Sequence, residues 1–121
     1  MKRLLWLIPL FALLCFGENL TTEELEKALA KKDVFFLDVR EPSEIAELGS
    51  VKGYVNIPLG QLESRLSELP KDKLIITACN RGVRAGKAEG ILKQNGFKTL
   101  GSCGLNDWKA KGKPLVYPKK D

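Results

Sequence analysis

The chain has 121 residues, room for one domain and too few for two good cores. Its formal net charge of +5 is a mild surplus with no basic helix face or aromatic-basic interleaving, so nucleic acid is not expected as a partner. Histidine is absent, and with it go histidine acid–base catalysis, Cys-His dyads and most zinc sites.

The first element, MKRLLWLIPLFALLCFG, has two cations, an apolar stretch over 4–16 and a small residue at Gly17. This is the layout of a secretory signal peptide cut after Gly17. Pro9 interrupts the stretch, which is shorter than the ~20 residues a spanning helix needs. It also lacks the polar face of an amphipathic helix. Residues 18–121 are then the folded domain, exported to the periplasm, with an uncleaved membrane anchor as the alternative. Cleavage removes Lys2 and Arg3 and no acid, so the charge falls to +3, and several of the remaining lysines form a solvated C-terminal tail. Two cysteines stay, Cys79 and Cys103, and their number alone leaves disulfide and reactive thiol both open.

Helical and extended patterns then alternate. Thr21 opens a helix, with Glu24 three residues on and Leu25, Ala28 and Leu29 as its apolar stripe. DVFFLDVR (33–40) reads as a strand buried on both faces. Pro42 starts a short helix through Leu48, where its missing N–H costs nothing. A turn and a brief strand follow near 54–57, and leucines at 59, 62, 66 and 69 predict one helix face. LIITA (74–78) is the second strong strand, and a helix over 85–94 is stopped by Asn95-Gly96. FKTL (97–100) predicts a third strand and 105–111 a last short helix carrying Trp108. The alternation predicts an α/β domain, a central parallel sheet flanked by helices on both faces. In such sheets ligands bind beyond the carboxyl ends of the strands, which makes Cys79 a site candidate.

The loop after LIITA reads Cys79, Asn80, Arg81, Gly82, Val83, Arg84. Curled around the sulfur, its successive N–H groups would form an anion nest, with the next helix adding its positive dipole end. Gly82 admits a turn closed to residues with a Cβ. Arg84 is expected to fold back on an anion and Arg81 to meet one from solvent. Each feature favours a sulfur anion, whereas a structural cysteine needs no two arginines within five residues.

CNRGVR resembles the C-x-x-G-x-R active-site loop of the rhodaneses, the thiosulfate sulfurtransferases. FLDVREPSE resembles the family's D-V-R-E segment, GSVKGYVNIP its G-H-I-P-G-A-x-N-I-P, and GFKTLGSCGLNDWKAKGKP its ending. The similarity covers about 19–117, and with the leader it points to the small periplasmic single-domain type.

The resemblance implies ping-pong chemistry. Cys79 takes the outer sulfur of thiosulfate or a similar anionic donor as a persulfide, then yields it to a thiophilic acceptor, cyanide or a thiol, protein thiols included. The amides of 80–84 would hold the persulfide charge, and Arg81 and Arg84 would attract the donor. Asp38 and Arg40 would be ionic support near the loop, although Asp38 at a strand end also reads as an acid catalyst. No cofactor, metal or lasting membrane contact after cleavage is implied.

Ser50 and Lys52 depart from the family's His and Pro. Cys103 falls in its glycine-rich turn near the active-site mouth, either as a resolving or disulfide-forming thiol or as a small buried residue. A sulfur-carrier or redox-partner module is the rival of another class, although no Cys-x-x-Cys pair is present. A cysteine phosphatase or arsenate reductase is the enzymatic rival. The related phosphatases use Cys-x5-Arg, and only four residues separate Cys79 from Arg84, which suits sulfur better than phosphate.

Overall fold

Thr21 opens the first helix as its hydroxyl accepts from the Glu24 N–H, while the Glu24 carboxylate accepts from Thr21 N–H. A computed structural model of the protein describes residues 19–31 and 33–119, so the proposed leader lies outside the described residues. In chain order the elements are α1 (Thr22–Leu29), β1 (Val34–Asp38), α2 (Pro42–Leu48), β2 (Val55–Asn56), two 3-10 segments (Leu59–Gln61 and Glu63–Glu68), β3 (Leu74–Cys79), α3 (Val83–Gln94), β4 (Thr99–Gly104) and α4 (Leu105–Ala110).

The four strands form one parallel sheet in the order β2-β1-β3-β4. Side chains alternate across a strand, so β1 and β3 each supply two cores. Leu37, Ile75 and Cys79 face one side, covered by Ala85, Ala88 and Leu92 of α3 and by Leu62 and Leu69. Phe36, Ile76 and Ala78 face the other, covered by Leu25 and Ala28 of α1 and by Leu105 and Trp108 of α4. The small Ala85 and Ala88 let α3 lie close on the sheet at its N-terminal end. That is the end beside Cys79.

The leucine run over 59–69 is not one α-helix. Its leucines are spaced three, four and three residues apart, between the 3.0 residues per turn of a 3-10 helix and the 3.6 of an α-helix, so the spacing does not separate the two. The four-residue step is absorbed at Arg65, whose backbone leaves helical values (φ −123°, ψ 20°). Leu62 and Leu69 are still buried.

The last strand also departs from expectation. It begins at Thr99 and runs on through Gly104, in place of the glycine-rich turn. Thr99 pairs with Ile75 and Gly101 with Ile76, so Leu100 is the extra residue of a bulge and stands half exposed. Residues 101–104 have small side chains, so periodicity gives them no strand signal. The space above Gly101 is filled by Leu20, which a Cβ there would meet at 2.9 Å.

Candidate active site

β3 places Cys79 at its carboxyl end, on the face covered by α3, and leaves the residue 2% exposed. Thr77, two residues earlier, donates its hydroxyl to the Ala85 carbonyl at 2.8 Å and so ties β3 to the first turn of α3. The Cys79 Sγ accepts two backbone N–H groups, from Gly82 at 3.0 Å and from Ala85 at 3.3 Å. Donors at these positions hold negative charge on sulfur better than a neutral thiol.

The loop carbonyls point the other way and are tied down from outside. Asn106 N–H donates to the Asn80 carbonyl at 3.0 Å, and the Asn19 side-chain amide donates to the Arg81 carbonyl at 3.4 Å. Gly104 lies directly against this backbone, where a Cβ would come within 2.7 Å of the Arg81 carbonyl carbon. Gly82 takes φ +101°, which turns its N–H inward and is open to glycine far more than to other residues. The nest around the sulfur is thus built by three separate segments.

Beneath the loop, Asp38 and Arg40 form a buried fork-to-fork pair. Arg40 Nε donates to Asp38 Oδ1 at 2.9 Å and Nη2 to Oδ2 at 2.6 Å. Nη2 also donates to the Gly49 carbonyl at 2.8 Å, and Nη1 to Asn80 Oδ1 at 3.0 Å. Asp38 further accepts the Ser50 hydroxyl at 2.6 Å and the Arg40 N–H at 3.1 Å. Each charge is therefore paired and hydrogen-bonded, the condition under which burial is tolerated. With both oxygens engaged and no solvent access, Asp38 is poorly placed for proton transfer. Arg40 reaches the loop through Asn80.

Arg84 does not stand open to a ligand. Its Nη1 and Nη2 donate to Oε1 and Oε2 of Glu44 on α2, at 2.8 and 3.1 Å. Glu44 also accepts the Asn80 side-chain amide at 3.3 Å and the Glu41 N–H at 2.8 Å. Hydrogen bonding from Arg84 lowers the Glu44 carboxyl to about 2, against partial burial. The Arg84 guanidinium is held more firmly charged, first by Glu44, with the Cys79 sulfur adding to the effect. Arg81 and Val83 are exposed beside the loop, Val83 strongly so at 60%.

Cys103 lies within β4, 1% exposed, paired in register with Ala78 and packed in the α1–α4 core. Cys79 belongs to the opposite core, so the two side chains leave the sheet on opposite faces. Both thiols are free, and burial pushes the Cys103 thiol far up. The geometry fits a small buried residue and does not fit a disulfide or a resolving thiol.

Sequence reasoning missed Glu44, Asn106, Gly104 and Asn19. Glu44 carried one signal, an acid four residues after Arg40 at a helix start, but that position reads equally as a helix-terminal acid. The other three act through backbone contacts formed only when distant segments meet.

Comparison with known proteins agrees with this architecture. The family model described as "Rhodanese-like domain" matches residues 21–111. A protein named "Sulfurtransferase" from Allochromatium vinosum is 32% identical over 104 residues, 84% of this chain and 96% of its own length. The crystal structure of a rhodanese-related protein from Thermoplasma volcanium superposes with a TM-score of 0.75 at 28% identity, covering 84% of this chain and 99% of that one. A rhodanese-like domain protein from Staphylococcus aureus gives 0.72 at 28% identity, with coverage of 84% and 99%.

Proposed function

The chain belongs to the rhodanese-like domain family, and from that premise we propose that it is a sulfurtransferase acting through a Cys79 persulfide. The observation that carries the proposal is the pair of N–H groups, from Gly82 and Ala85, that converge on Sγ. The Cys79 thiolate attacks the outer sulfur of thiosulfate, the S–S bond of the donor breaks, and sulfite leaves with the bonding pair. The product is a persulfide anion whose terminal sulfur extends beyond Sγ. In the second half, cyanide or a thiolate attacks that terminal sulfur, and Cys79 leaves as thiolate. No proton moves in either step, so no general base is needed. Arg81, exposed at the loop, draws in the anionic donor.

Thiosulfate:cyanide transfer by the wild type and Cys79→Ser tests the proposal. Activity should vanish in the variant, and retained activity would overturn the mechanism. Mass spectrometry after thiosulfate alone should find one extra sulfur atom on the Cys79 peptide. We assign the reaction to the periplasm on the leader pattern. Cell fractionation should recover a chain starting at residue 18 outside the cytoplasm, and a cytoplasmic full-length chain would refute that assignment.

A further inference from the structure

A persulfide site has a charge problem that the donor half-reaction alone does not reveal. It must attract one anion, release another, and then admit a nucleophile that is itself anionic. Two unpaired guanidinium groups beside the sulfur would help the first step and hinder the release. In this protein one of the two is neutralised: Arg84 is bound in a two-pronged pair by Glu44. The same carboxylate takes the side-chain amide of Asn80, the first loop residue after the cysteine. Asn80 is held from its other end by Arg40. Glu44 therefore grips both ends of the 80–84 loop from a helix outside it.

We propose that Glu44 is a positioning residue that sets the charge selectivity of the sulfur site, keeping Arg84 paired so that, among the described residues, Arg81 is the loop cation left to recruit anions. The proposal rests on Cys79 being the reactive thiol, and it goes beyond the sulfur-transfer reading in assigning control of selectivity to α2. Removing the Glu44 charge leaves the Arg84 guanidinium uncompensated near the sulfur. The site then favours anionic over neutral reagents more than the wild type does. Removing the Arg84 charge does the opposite, and removing both restores the original balance.

Alkylation of Cys79 measures this without requiring sulfur transfer. The rate with anionic iodoacetate is divided by the rate with neutral iodoacetamide at low ionic strength, with peptide mass separating Cys79 from Cys103. Glu44→Gln should raise the ratio about three- to tenfold, the effect of one charge at short range in a partly solvated site. Arg84→Gln should lower it by a similar factor, and the double variant should return to within about twofold of wild type by cancellation. A loop that is merely loosened speeds both reagents together, so an unchanged ratio in the single variants would overturn the proposal. If Glu44→Gln fails to fold, Arg84→Gln carries the same decision with the opposite sign. Shifted ratios without persulfide formation from thiosulfate would uphold the role of Glu44 and sink the sulfur-transfer reading instead.

Discussion

At the scale of single residues, two glycines and one cysteine separate shape from chemistry. Gly104 lies where a Cβ would press on the Arg81 backbone at 2.7 Å, and backbone cannot swing away as a side chain can. Gly104→Ala should therefore displace the loop amides from Sγ and cut sulfur transfer about tenfold or more, since donor geometry is worth roughly 2–4 kcal/mol in such sites. Circular dichroism should still report a folded domain, and unimpaired activity would show that the loop tolerates the shift. Gly82→Ala should cost about 1–2 kcal/mol at its positive φ, read by urea denaturation. Cys103 should behave oppositely to Cys79. Cys103→Ala should retain sulfur transfer and lose a modest amount of stability, because the side chain is packing and lies on the far face of the sheet. Loss of transfer with an intact fold would restore a chemical role to that thiol.

At the scale of elements, α2 and β1 support the loop through charges that the apolar pattern does not register. Arg40→Met should cost about 3–5 kcal/mol, because it leaves the Asp38 carboxylate buried without its partner. Glu44 makes a pH-dependent contribution. Its carboxyl is lowered in the folded state to about 2 from an ordinary 4.5, so its stabilisation is complete above about pH 4.5 and fades as pH falls towards 2. Both partners are about a third exposed, so solvent screening limits the contribution to about 1 kcal/mol. The stability gap between wild type and Glu44→Gln should accordingly be about 1 kcal/mol at pH 7 and close near pH 2. A gap that stayed constant across that range would mean the carboxyl is not held by Arg84.

At the scale of the whole molecule, the two cores are not independent, because β1 and β3 contribute side chains to both. Neither core can open without breaking the central ladder pair, so one cooperative transition is expected. In a chain without residues 1–17, Trp108 is the sole tryptophan and reports the α1–α4 core. Its fluorescence and the accessibility of Cys79 on the other face should change together in urea. Separate midpoints would show that the layers unfold apart.

Much of this protein was legible in its sequence, for identifiable reasons. Continuous apolar runs mark β1 and β3 because those strands are buried on both faces, and the capping pair Thr21 and Glu24 marks α1 because it is local in the chain. The strand-end cysteine with its glycine and two arginines marked the loop, since an anion nest needs consecutive residues. What the tertiary structure decided is everything that depends on distant segments meeting. Small residues at 101–104 became a strand only because β3 offered a partner, and that pairing turned Cys103 away from Cys79. Arg84 gained a partner 40 residues away in Glu44, which no spacing rule predicts. Local patterns carry hydrophobic burial and backbone geometry, which are set over a few residues. The partner of a charge is set by where the fold places it.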